Sequence, residues 1–276
     1  MVLDDLKLGV IGVGKMGGII VRRIVDSTLT PQQIWITDID TDLVTQLCSE
    51  LKVNSTKGAA PNIEELLDNT DVVLCAVPPV AVPKILPQVA KSLTPTQWIV
   101  SIAAGVTTKT LESYCVNVPP IVRVMPNIAA SVGEAISVLT AGSAANEKHI
   151  NIAQALFRSC GTTLVLAERH LNAVTGLSGS GPAYVALFIE ALADAGVHVG
   201  LPRQESQTLA IHTVLGTATM LSESLEHPAI LKNRVTTPGG TTAAGLHELE
   251  NGGLRATLAK AIIAATERAR QLDSDK

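Results

Sequence analysis

Six residues constrain this chain more than any others: Gly12-Val13-Gly14-Lys15-Met16-Gly17. They follow at once on an aliphatic run, residues 6–11, and lead into a helical spacing of Ile19, Ile20, Val21, Ile24 and Val25. A strand, a glycine turn and a helix in that order have a physical purpose. Gly12 permits the tight turn, Gly14 lets backbone approach a pyrophosphate, and Gly17 lets the helix pack closely on the strand. Lys15 and Met16 then stand at a helix N-terminus whose unbonded N–H groups favour an anion. An ordinary strand–helix turn is the competing reading, and Asp38 counts against it. That residue ends a second strand, 34–37, about 20 residues on, where a carboxylate can accept bonds from a ribose 2′-OH and repel a 2′-phosphate. Asp40 and Asp42 deepen the negative field, and no Lys or Arg lies between Thr37 and Gln46. The arrangement favours NAD(H) over NADP(H), although the three Asp could also solubilise a loop and cap the next helix.

Further short aliphatic strands are expected at 72–77, 98–102, 121–125, 135–139 and 162–166, with helices at 43–51, 63–67 and 147–159. This alternation predicts an α/β fold, a Rossmann-type parallel sheet covered on both faces. Beyond residue 167 the strand pattern stops. Helical spacing covers 183–195, 204–222 and 254–272, so the expectation is a dinucleotide-binding domain, 1–167, followed by an all-helical domain, 168–276.

Composition excludes several function classes. Hydrophobic residues make up 46% of 276, but only two Phe, two Tyr and two Trp are among them, so base stacking on aromatic platforms is not expected. The net charge of −4, with no basic run, gives no footprint for nucleic acid. The greasiest stretch, 72–89, is broken by Pro78, Pro79, Pro83 and Pro87, so no membrane segment is expected. Six scattered His suggest no metal site, and four separated Cys with no CxxC suggest a reduced, cytoplasmic chain.

Four other clusters carry possible chemistry. Ala76, Val77, Pro78 and Pro79 end one strand, and Ala103, Ala104 and Gly105 follow the next, where small residues let backbone approach a nicotinamide; a crowded corner would need the same residues. Thr236-Thr237-Pro238-Gly239-Gly240-Thr241-Thr242 precedes a helix, and its N–H groups and hydroxyls suit a small carboxylate, unless it is simply a capped proline turn. Leu177-Ser178-Gly179-Ser180-Gly181-Pro182 fails the GxSxG pattern and reads as a helix start. Glu190 and Asp194, four apart, could pair for acid–base work but fit a solvated face better.

At this point the run 231–250, which contains Arg234-Val235-Thr236-Thr237-Pro238-Gly239-Gly240-Thr241-Thr242, resembles the signature of the pyrroline-5-carboxylate reductase family. Residues 174–184, 103–106 and 123–127 match the family in order, so the resemblance covers essentially the whole chain. It implies reduction of the C=N bond of 1-pyrroline-5-carboxylate by NAD(P)H, giving L-proline. It further implies that Thr237, Gly239, Gly240 and Thr241 hold the substrate carboxylate and that Thr242 hydrogen-bonds the ring nitrogen. The cofactor set it implies is Gly12, Gly14, Lys15, Met16, Gly17, Asp38, Asn62 on the adenosine side, Ala76, Val77, Pro78, Ala103 and Ala104. Family precedent favours NADPH, whereas Asp38 favours NADH. Two more departures are Pro78, where the family often has Lys, and Arg234, where some members have Asn. The family also implies homodimers with intertwined helical domains, often built into pentamers of dimers, that is, decamers. A reductase of another cyclic imino acid is the nearest alternative. A β-hydroxyacid-type dehydrogenase would need a Lys that helix 183–195 lacks. A non-catalytic dinucleotide-binding protein would have no reason to keep both loops.

Overall fold

The computed structural model describes residues 3–58 and 61–274. From the N-terminus the elements are β1 (Leu8–Ile11), α1 (Lys15–Ser27), β2 (Ile34–Thr37), α2 (Thr41–Leu51), β3 (Asn54–Ser55), α3 (Ile63–Asp68), β4 (Val72–Cys75), α4 (Val82–Ser92), β5 (Trp98–Ser101), α5 (Thr108–Ser113), β6 (Ile121–Met125), β7 (Ala135–Ala141), α6 (Glu147–Phe157) and β8 (Gly161–Val165). Then come α7 (Leu171–Val174), a π-helical turn over Thr175–Gly179, α8 (Gly181–His198), α9 (Arg203–Ser224), α10 (Pro228–Arg234), α11 (Thr241–Asn251) and α12 (Leu254–Ser274).

The eight strands form one sheet in the order β3-β2-β1-β4-β5-β6-β7-β8. β1, β4 and β5 are buried along their whole length, as strands covered on both faces must be. One apolar cluster holds Val10, Leu74, Val100 and Val122; the other holds Ile11, Val73, Ile99 and Ile121. Alternate residues of each strand thus feed opposite layers.

Two features differ from the sequence-based expectation. The sheet is mixed rather than all parallel, because β7 runs antiparallel to β6 while β8 runs parallel to β7. The link from Met125 to Ala135 holds a short 3-10 turn closed by Gly133 at φ +79°. A parallel crossover needs roughly a dozen residues or more, so this link returns the chain antiparallel. Second, the proline-broken stretch contains α4, with Pro83 in its first turn and Pro87 inside it. Burial of Val82, Ile85, Leu86 and Val89 offsets the hydrogen bond that Pro87 cannot make. By compactness the chain divides into one unit up to Gly179, together with the chain from Ala265, and a second unit over Ser180–Ala264. Residues 168–179 stay with the sheet because Glu168 pairs with Arg123 and the Ser178 carbonyl accepts from Asn127.

Within the helical unit α8 and α9 pack on each other, where Ser206 donates to the Ala193 carbonyl (2.6 Å). Val185, Leu187, Phe188, Leu209 and Leu215 of these helices are exposed. Among the described residues no helix is long and apolar enough to cross a membrane.

Candidate active site

β1 and β4 are neighbours in the sheet, but the chain leaves them for opposite sides, β2 and β5. Ligands of such sheets sit at the carboxyl ends of the strands at this switch point. A cavity of about 960 Å³ opens there. Gly12, Gly14, Lys15, Met16, Asp38, Ala76, Val77, Pro78, Ala103 and Ala104 all line it.

The three glycines are used differently. Gly12 has φ +95°, and a Cβ on it would lie 2.8 Å from the Ala76 carbonyl oxygen. The turn is pinned by Gly12 N–H to the Thr37 carbonyl (2.9 Å) and Ala76 N–H to the Ile11 carbonyl (2.8 Å). Gly17 is pressed against Gly12, so a Cβ there would run into the Gly12 carbonyl oxygen. Gly14 is the opposite case: nothing lies within 4 Å of where its Cβ would be. Gly14 also caps α1, with no side chain bonded to the helix N-terminus. An open backbone approach beside uncapped N–H groups fits a diphosphate.

Asp38 is fixed at the end of β2. Its Oδ2 accepts the Val13 N–H (2.6 Å) and its Oδ1 accepts the Asp40 N–H (2.9 Å). Asp40 caps α2, accepting from Asp42 and Leu43. The glycine loop and the acidic loop are therefore one hydrogen-bonded unit. Asn62 lies on a neighbouring cavity of about 500 Å³. Its Oδ1 accepts the Glu65 N–H (3.2 Å), and its Nδ2 donates to the Lys57 carbonyl (3.0 Å) and Glu65 Oε2 (3.1 Å).

Several residues of the main cavity escaped the sequence reading. Met125 ends β6 and Pro126 and Asn127 follow it, and the rule that sites gather at strand ends would have found them. Lys84, Ile85 and Gln88 come from α4, whose prolines hid it. Ile39 lines the cavity although it is 80% exposed. Cys75 ends β4 beneath this region, and burial pushes its thiol up to about 11, so it is no thiolate nucleophile at neutral pH.

The threonine loop lies in the helical unit. α10 ends at Arg234, which donates to both carboxylate oxygens of Glu226 (2.7 and 2.6 Å). Thr236 donates to the Lys232 carbonyl (2.7 Å). Gly239 takes φ +70°, and Gly240 N–H donates to the Thr237 carbonyl (3.0 Å). Gly240 caps α11 without any side-chain bond to the helix. The hydroxyls of Thr237, Thr241 and Thr242 have no partner among the described residues. Uncapped N–H groups and unused hydroxyls at one helix end suit a small carboxylate and a neighbouring polar atom. Among the described residues no cluster of His, Cys, Asp or Glu could hold a metal.

Comparison with known proteins matches two stretches of the chain. Residues 7–105 match the family described as NADP oxidoreductase, coenzyme F420-dependent. Residues 168–272 match the family described as pyrroline-5-carboxylate reductase dimerisation. A pyrroline-5-carboxylate reductase of Arabidopsis thaliana is 43% identical over 98% of this chain and 96% of its own. One from Escherichia coli K12 is 36% identical over 97% and 98%. The structure of a pyrroline-5-carboxylate reductase from Coxiella burnetii superposes with a TM-score of 0.91 at 32% identity, over 98% of this chain and 99% of that one. That of a Plasmodium falciparum pyrroline carboxylate reductase with NADP bound gives 0.84 at 30%, again over 98% and 99%. With such likeness along almost all of both partners, the chain belongs to the pyrroline-5-carboxylate reductase family.

Proposed function

We propose that this chain reduces the C=N bond of 1-pyrroline-5-carboxylate to give L-proline, with NAD(P)H as hydride donor. One observation carries the reading: the chain has both a diphosphate cradle, open at Gly14, and an uncapped α11 N-terminus with unused threonine hydroxyls. A bound nicotinamide supplies the hydride. Gly14, Lys15 and Met16 hold the diphosphate on the turn that Gly12 and Gly17 make possible, and Ala76, Val77, Pro78, Ala103 and Ala104 give the nicotinamide ribose room. Asn62 would reach the adenosine side only by giving up part of its cap on α3. The loop at Thr237, Gly239, Gly240 and Thr241 holds the carboxylate, and Thr242 hydrogen-bonds the ring nitrogen. A protonated cyclic imine is already electrophilic, so orientation against the donor does most of the work.

We assign residues 1–167 to the cofactor and 168–276 to the substrate and to dimerisation. The exposed apolar side chains of α8 and α9, together with the dimerisation match, support a homodimer. Assembly of dimers into a decamer belongs to the same proposal. A cytoplasmic location is supported by four free cysteines. The test is product analysis. L-proline should form only when imine, reduced cofactor and protein are together; its absence with both NADH and NADPH would refute the assignment.

Asp38 governs the choice between cofactors in this proposal. With its carboxylate fixed by Val13 and Asp40, a 2′-phosphate beside it would face an anion that cannot swing away. Asp38→Ser should raise the NADPH-to-NADH ratio of kcat/KM by roughly tenfold, about 1.4 kcal/mol. An unchanged ratio would remove Asp38 from ribose recognition.

A further inference from the structure

Arg123 is among the largest side chains that the chain buries fully, with 1% exposed in β6. Its register partners are Ser101 on β5 and Thr140 on β7, both buried. The same row continues through Cys75 on β4 and Ile11 on β1. One residue further along those strands stand Gly12, Ala76 and Ile102, which line the cleft. A charged residue therefore lies level with the strand ends, directly under the dinucleotide cleft.

Its only ion-pair partner among the described residues is Glu168. Arg123 Nη1 donates to Glu168 Oε1 at 2.5 Å, and the same oxygen accepts the Thr108 N–H (3.3 Å) at the start of α5. Arg123 Nη2 and Glu168 Oε2 are buried with no partner among the described residues, so one contact carries the pair. Glu168 begins the segment that runs through α7 into the π-helical turn. Such turns are frequent at functional sites. The last residue of this one, Gly179, lines the cleft, and a Cβ on it would lie 2.8 Å from Met125 Cε. Next to it, the Ser178 carbonyl accepts from Asn127 Nδ2 (3.1 Å). The segment is thus fastened to β6 and its end at two places.

We propose that Arg123 and Glu168 are positioning residues for the half of the cleft beyond β4. Their pair sets how closely Gly179 approaches Met125 and Asn127, and so shapes the end of the cleft where the nicotinamide half of a dinucleotide lies; the adenosine half lies on the β2 side, by Asp38. The inference rests on the dinucleotide reading of the cleft, not on the identity of the imine.

Two variants test it. Glu168→Gln weakens the pair without changing its size. The double variant Arg123→Met/Glu168→Leu removes both charges, so no buried ion is left uncompensated. Affinities for ADP, which spans only the adenosine half, and for the reduced dinucleotide that the wild type binds are measured beside the melting temperature. Binding of ADP and the dinucleotide by the wild type checks the cleft itself, independently of any turnover. In the variants, dinucleotide affinity should fall by about tenfold while ADP affinity stays within about twofold. Where the wild type turns over, kcat should fall by up to about 100-fold, as expected of ~1 Å misplacement. Unchanged dinucleotide affinity overturns the proposal. So does a parallel loss of ADP and dinucleotide binding with lower melting, which a merely structural pair would give. If the double variant does not fold, Glu168→Gln decides alone.

Discussion

Thr242→Ala loses on the order of 100-fold in kcat, the scale of a misplaced substrate when a group that orients the ring nitrogen is removed. The prediction is sharp because, among the described residues, nothing else is hydrogen-bonded to this hydroxyl. Thr242 is the second residue of α11, and its side chain has no hydrogen-bond partner among the described residues. Alanine is the better helix former, so the helix does not suffer. Melting and cofactor KM should therefore be unchanged, and the whole loss falls on steps after binding. Thr242→Ser keeps the hydroxyl and should retain most of the rate. An alanine variant with kcat within about twofold of wild type would show that the ring nitrogen is served by another group.

Gly17→Ala is expected to be severely damaging for a single methyl group. Its Cβ would meet the carbonyl oxygen of Gly12, which is backbone and cannot rotate aside, and would also press on the Ala76 side chain. Gly12 cannot yield either, because it is held against Ala76 and bonded to Thr37. Overpacking of this kind costs about 1–3 kcal/mol. For a chain of this size that lowers Tm by several degrees, at roughly 2–4 °C per kcal/mol. The displaced α1 also carries the diphosphate cradle away, so dinucleotide affinity should fall by at least about tenfold. Gly14→Ala is the control. Its Cβ enters open space and its φ of −62° suits any residue. That variant should melt at most a few degrees below wild type, since Ala is a poorer N-cap than Gly by about 1 kcal/mol or less, yet bind the dinucleotide less well. Equal melting and equal binding for all three proteins would mean that the glycines are not arranged around a ligand.

The contrast between these glycines shows what was legible beforehand. Gly12 and Gly17 were readable because a tight turn and a close helix–strand approach leave few other residues possible. Asp38 was readable as the carboxylate that ends β2, and it lines the cleft; the helix capping expected among the three Asp falls to Asp40. The turn at Pro238, Gly239 and Gly240 before a helix was readable from residue types; its use for a carboxylate is a proposal, and the imine came only from the resemblance. Other features had no local signal. Arg123 sits inside an aliphatic run and reads as one polar residue of a strand; its partner Glu168 lies 45 residues away in sequence. The reversal of β7 depends on the length of one link rather than on any residue type. Prolines 83 and 87 concealed α4, and with it Lys84 and Gln88 on the cleft. Asn62 shows a different limit. The spacing Asn62-x-x-Glu65 is a helix-start signature, and the structure uses it as one.

The central claim is that a hydride passes from a nicotinamide to the imine carbon of a small cyclic carboxylate bound by this chain. Isotope tracing tests it most directly. The protein is given 1-pyrroline-5-carboxylate with reduced cofactor deuterated at the transferring position of the nicotinamide ring, and the proline formed is examined by mass spectrometry. The account predicts one deuterium per proline, on the ring carbon that was double-bonded to nitrogen, with cofactor oxidised in equal amount. Proline without deuterium, or no proline with either cofactor, would contradict it.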